Sequence, residues 1–109
     1  MAFRCKLIHH PGASKDYLDA LSFFQNVDAG LAGIFTQDFQ LVLSKLKSGG
    51  AISAPCAAGS TIRWIKLRRF SHKVFFEFPE PGTCFVLGVI SGKRHPERIR
   101  QMLVNRQDP

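Results

Sequence analysis

The sequence predicts an α+β fold: an antiparallel sheet, formed by an N-terminal strand and a C-terminal three-stranded meander, packed against an N-terminal helical hairpin, with a short helix closing the chain. Three observations carry this expectation. Residues 62–67, 73–78 and 83–90 are runs of β-branched and aromatic residues bounded by turn formers. The links between them, Phe70-Ser71-His72 and Pro79-Glu80-Pro81-Gly82, suit hairpins and are too short for a parallel crossover. Ahead of the sheet, residues 14–26 and 28–47 place apolar side chains at helical spacing.

Taken in order, residues 2–8 alternate Phe3, Cys5 and Leu7 with Arg4 and Lys6, the pattern of a half-buried strand that adds to the sheet. His9-His10-Pro11-Gly12 breaks the run. The adjacent histidines point different ways from an extended backbone and have no acidic or Cys partner at ligand spacing, so they read as loop punctuation. In the first helix Ser14 is the expected cap, Asp16 and Asp19 favour the positive end of the dipole, and Tyr17, Leu18, Leu21 and Phe24 form the apolar stripe. Asp28 caps the second helix, whose stripe is Leu31, Phe35, Phe39, Val42 and Leu46, with Lys45 and Lys47 near its negative end and Ser48-Gly49-Gly50 as its stop. So short a corner makes the helices antiparallel, and each has a face to bury on the sheet. Residues 51–60, with small residues, Pro and Gly, read as a loop. Pro96 opens the closing helix, with Ile99, Met102 and Leu103 on one face, and residues 105–109 read as a frayed tail.

With 109 residues the chain suffices for one domain, residues 1–109, with a single core and little room for a second. Hydrophobic residues make up 45% and Phe occupies 10 positions, too many for a disordered chain. The formal net charge of +7 is unevenly placed: from Thr61 onward ten Lys or Arg face four acids, against five and four before it. That asymmetry suits a polyanionic partner, nucleic acid or acidic protein, or else a basic surface kept for solubility. Cys5, Cys56 and Cys84 have no metal or disulfide spacing and read as free thiols of a reducing compartment. No signal-peptide or membrane-spanning run is present, so a cytoplasmic protein without metal or cofactor is expected.

Phosphate-binding, dinucleotide, zinc-protease and nucleophile-elbow motifs are absent, and the carboxylates are scattered. The chemistry that remains is basic. Alternation in the first meander strand sets Ile62, Trp64 and Lys66 on one face and Arg63, Ile65 and Leu67 on the other. Lys73, His72, Lys93 and Arg94 join from neighbouring strands and turns. Such a surface can hold a phosphodiester, with His72 or His95 passing protons, or can meet an acidic partner.

The run Arg63, Ile65-Lys66-Leu67-Arg68, Lys73-Val74-Phe75-Phe76-Glu77 and the ending Val89-Ile90-Ser91-Gly92-Lys93-Arg94-His95-Pro96-Glu97 resemble toxins of the RelE/ParE superfamily, the plasmid-stabilisation toxins of type II toxin–antitoxin modules. The long helical hairpin after His10-Pro11 is similar to the ParE-like branch. The resemblance implies a RelE/ParE-like fold and a cognate acidic antitoxin partner, in a toxin–antitoxin hetero-oligomer. For a RelE-like member it implies a ribosome-dependent mRNA endonuclease using Lys66, Lys73, Arg94 and His95. For a ParE-like member it implies inhibition of DNA gyrase, with Arg63, Arg68, Arg69, Lys93 and Arg98 meeting target or antitoxin. Ile99 and Arg100 stand where the RelE-like branch has a Tyr, and Tyr17 is the chain's one tyrosine. That departure favours the ParE-like reading, with an inactive antitoxin-binding member as a further alternative.

Overall fold

Strand β5 (Thr83–Ser91) is apolar on both faces, and a strand of that kind must be covered twice. A computed structural model of the chain, which describes residues 5–48, 54–55 and 60–107, shows how. The order of elements is β1 (Lys6–His9), α1 (Pro11–Val27), α2 (Ala29–Ser48), β2 (Ala54–Pro55), β3 (Arg63–Lys66), β4 (His72–Glu80), β5 and α3 (Pro96–Gln107). The sheet runs β1-β5-β4-β3-β2. One face carries the α1–α2 hairpin over Cys84, Val86, Val89, Val74 and Phe76. The other carries α3, whose Ile99 and Leu103 pack on Leu87, Ile90, Phe75 and Ile62. Among the described residues the apolar core thus forms two clusters where the length predicts one, because the bulky residues of β4 and β5 alternate across the sheet.

The meander is antiparallel as expected, but β1 pairs parallel with β5, Lys6 opposite Thr83 through His9 opposite Val86. The sheet is therefore mixed. Alternation reports which face a residue takes and says nothing about strand direction. Part of the expected loop also joins the sheet: Ala54 and Pro55 pair with Trp64 and Arg63. Its remaining residues up to 59, like residues 2–4, the Gly49-Gly50 stop and Cys56, lie outside the described residues. Cys5 and Cys84 are free thiols, and burial pushes Cys84 up to about 12.

Helix α1 starts three residues before the predicted Ser14. Pro11 has the φ that a first helical turn requires, and His10 caps it by accepting a hydrogen bond at Nδ1 from the Gly12 N–H, 2.8 Å. The second of the paired histidines is thus a helix cap, and His9 belongs to β1. The corner between the helices is one residue. Asp28 donates its N–H to the Phe24 carbonyl, ending α1, and accepts from the Gly30 N–H at Oδ1, 2.7 Å, opening α2. The helices run antiparallel, with Tyr17 against Phe39 and Phe24 against Phe35. The α2 stripe is buried as spaced, apart from half-buried Leu31, whereas Leu18 of the α1 stripe faces outward.

Both hairpin links differ from expectation by a residue or two. His72 pairs with Ser91 at the start of β4, so the β3–β4 link is residues 67–71. Strand β4 continues to Glu80 and leaves Pro81-Gly82 as a two-residue turn with Gly82 at φ 82°, the type II pattern. The ladder is irregular between Glu77 and Glu80, where Pro79 has no N–H to donate.

A second irregularity decides the architecture. Phe75 faces Gly88 and Phe76 faces Val86, so Leu87 is the extra residue of a bulge. Since β1 stops opposite Val86, the far half of β5 has no strand on that side among the described residues. Asp16 of α1 fills the gap, accepting from the Val89 N–H at 3.1 Å. Arg106 of α3 comes round the same edge, bonding Asp16 Oδ2 at 2.6 Å and the Leu87 carbonyl at 3.0 Å. A Cβ at Gly12 would stand 2.5 Å from Arg106 Nε, so the guanidinium passes flat over the α1 backbone. Residues 105–107, expected to fray, are the turn of α3 that carries this contact.

Two predictions follow from this packing. Arg106→Ala removes one partner of an ion pair whose side chains are each 15% exposed, and is expected to cost about 2 kcal/mol and to accelerate amide exchange at Val89. Unchanged exchange there would show that the pair does not guard the edge. Gly82→Ala, at positive φ, is expected to destabilise by about 1 kcal/mol, and Gly33→Ala, in open space within α2, to stabilise by about as much, both read from urea midpoints.

Candidate functional site

The β3–β4 link is held by a residue without a role in the sequence analysis. Asp38, on the buried side of α2 and 1% exposed, accepts from the Arg69 backbone N–H at 2.9 Å and from its guanidinium at 2.7 and 3.1 Å. This clamp fixes the bend so that Phe70 enters the core and His72 begins β4. The hydrogen bonds from Arg69 hold the Asp38 carboxyl below its ordinary 3.8 against the opposing effect of burial. Spacing did carry a signal: Asp38 falls three residues after Phe35 and four before Val42, on the apolar stripe itself.

Beside the link, β5 turns into α3. Gly92 N–H donates to the Ser71 carbonyl at 2.8 Å, the Ser71 and Ser91 hydroxyls bond at 3.2 Å, and Arg94 N–H closes the turn on the Ser91 carbonyl at 3.2 Å. Between this end of the sheet and the Asp16-to-Phe24 side of α1 lies a groove of about 620 Å³. Arg69, Lys93 and Arg94 border it, Phe23 and Phe24 line the α1 wall, and His72 is in its lining. The His72 ring meets Phe24 and Phe35 edge to face, and its Nδ1 is buried without a hydrogen-bond partner. Burial first, and the Arg94 charge second, hold His72 below its ordinary 6.5, so the ring is neutral at pH 7.

The structure divides the expected residues into three groups. Lys66 and Lys73 face each other across β3 and β4 on the α3 side of the sheet, beside Trp64: Lys73 Nζ stands 4.1 Å from the indole centroid, and Lys66 Nζ donates to the Leu67 carbonyl. Arg94, Lys93 and Arg69 border the groove on the α1 side. The rest do not line the groove. His95 caps α3, accepting at Nδ1 from the Glu97 N–H at 3.2 Å, while Arg68 and Arg98 are exposed and Arg63 is half-buried opposite Phe76. Arg69 is committed to Asp38, although its side chain remains 48% exposed. Tyr17 bonds Thr36 within the hairpin at 3.0 Å, far in sequence from the basic set.

Among the described residues no group of His, Cys, Asp or Glu is placed to hold a metal ion, and no helix is long and apolar enough to cross a membrane. No protein-family model matches the chain, and no curated protein matches it either.

Removing the clamp should act asymmetrically. Arg69→Ala strands a buried carboxylate and is expected to lower the urea midpoint more than Asp38→Asn, which leaves Arg69 free to reach water. Because the folded Asp38 pKa is depressed, its stabilisation is present above about pH 3.8 and is lost as pH falls through the lower folded value. The acid limb of the stability curve should therefore be shallower in Asp38→Asn, and an identical limb would show that another group governs it.

Proposed function

We propose that this chain is a ParE-like toxin of a type II toxin–antitoxin module, acting in the cytoplasm by binding DNA gyrase and silenced by an acidic antitoxin. The observation that carries this reading is the separation of the basic groups. Acid–base cleavage of a phosphodiester needs a proton donor, a proton acceptor and a charge clamp around one phosphate. Here Lys66 and Lys73 project from the α3 side of the sheet, Lys73 against Trp64 with its stem beside Gly92, whereas Arg94 borders a groove on the α1 side and His95 spends its Nδ1 on a helix cap. The single tyrosine is bonded inside the hairpin. A divided set of that kind favours adhesion to a macromolecule over transfer chemistry at a single point.

The element order also supports the reading, being the one the superfamily resemblance implies: strand, helical hairpin, three-stranded meander and closing helix. An antitoxin is accommodated by what the hairpin leaves open. Leu18, Phe23 and Val27 of α1 and Leu41 of α2 are exposed apolar residues beside a strongly basic second half. A segment with apolar anchors and acidic side chains, disordered alone and folding on binding, matches both.

Induced expression in a bacterium without antitoxin tests this. Growth arrest with altered DNA supercoiling and intact transcripts is expected. Cleaved transcripts, abolished by Arg94→Ala, would replace the reading with a ribosome-dependent endonuclease. Normal growth would leave a protein that only binds its antitoxin.

A further inference from the structure

We propose that the groove between α1 and the end of the sheet binds a small aromatic phosphomonoester, its dianionic phosphate held by Lys93 and Arg94 and its ring against Phe23. The argument begins with charge. Five charged residues line the groove, and three are already neutralised. Asp16 is paired with Arg106, Asp19 with Lys15 at 2.8 Å, and Arg69 with Asp38. Lys93 and Arg94 make no ion pair among the described residues, although they sit side by side on one tight turn. The surplus is two positive charges at one point. A carboxylate would leave one of them uncompensated, whereas a phosphomonoester, close to a dianion at neutral pH, neutralises both.

The turn also fixes the backbone from which both cations leave. Lys93 N–H donates to Ser91 Oγ and Arg94 N–H to the Ser91 carbonyl, so the two side chains leave from a fixed base. Opposite them the α1 wall presents Phe23, 62% exposed and standing edge to face with Phe24 at 5.3 Å. An exposed ring that shares the groove with a doubly cationic turn suits a planar group that carries a phosphate. The groove volume, about 620 Å³, falls within the range of small-ligand pockets. Beneath it the unpartnered His72 nitrogen is a polar atom still able to bond.

Neither Lys66 nor Lys73 lines this groove, and the site does not rest on the toxin reading. His72 supplies an internal reporter, since it shares the groove lining with Arg94 and Lys93 of the turn, Arg69 of the β3–β4 link, and Asp16 and Asp19 of α1, and meets Phe35 of α2 edge to face. A dianion at the turn offsets the Arg94 charge and so raises the His72 pKa.

The test is calorimetric titration of the full chain with phenyl phosphate, adenosine monophosphate, benzoate and inorganic phosphate, with the His72 ring followed by NMR. Both aromatic phosphates are expected to bind more tightly than benzoate or inorganic phosphate and to move the His72 pKa upward. Replacing Lys93 and Arg94 together by Gln should weaken phenyl phosphate by about tenfold or more, the loss of two charge-assisted contacts. Phe23→Ala should bring phenyl phosphate down to the affinity of inorganic phosphate. All three substituted positions are exposed, and an unchanged urea midpoint shows that the variants are folded. Benzoate binding as well as phenyl phosphate, a smaller loss in the double variant, or a His72 pKa that stays put would each overturn the site. Preference for adenosine monophosphate over phenyl phosphate assigns it to nucleotides, and the reverse to an aryl phosphate.

Discussion

Strand β5 sets the terms for every other element. It is paired parallel on one side and antiparallel on the other, and buried on both faces, yet its two sides are not covered over the same length. β1 gives out opposite Val86, leaving the rest of the strand with backbone groups that need partners. The bulge at Leu87 turns those groups outward at the point where a helix from each layer can reach them. One carboxylate and one guanidinium then serve as a substitute for the missing strand, and they join the α1 layer to the α3 layer around the sheet. A sheet edge that is closed by charged side chains is also protected from pairing with another chain.

Much of this was legible in the sequence, and the parts that were not share a cause. The meander, the hairpin and the closing helix announce themselves through local signals: β-branched runs, a 3-to-4 residue stripe, Pro at a helix start. The parallel direction of β1 and the pairing of residues 54–55 depend on contacts distant in sequence, which periodicity does not encode. The partners of Asp16, Asp38 and Arg106 were unread for a related reason. Each is a charged residue whose partner lies on another element, and Asp16 alone could equally have been a favourable charge near a helix start.

The candidate site was legible as composition rather than as geometry. The sequence pointed to Lys66, Lys73, Lys93 and Arg94 as one basic surface, because alternation on β3 and the turn after β5 both looked exposed. In three dimensions Lys66 and Lys73 leave the α3 side of the sheet while Lys93 and Arg94 border a groove on the α1 side, whose apolar wall comes from Phe24, which helical spacing assigns to packing, and from Phe23, which lies off the stripe. His72 lies beside that groove, neutral because the hairpin rings exclude water from it and Arg94 repels its proton.

The parallel β1–β5 contact joins residues more than seventy positions apart, whereas Asp28 links two helices through a single residue. These extremes order the events of folding. The helical hairpin is closed by neighbours in the chain and costs little loop entropy, so it can form early; the N-terminal strand must wait for the last strand of the meander. During synthesis α1 and α2 are complete before β5 has been made, and the apolar side that will cover the sheet is then open to any other hydrophobic segment nearby. The nascent protein thus passes through a stage in which its largest sticky surface is displayed without its basic half.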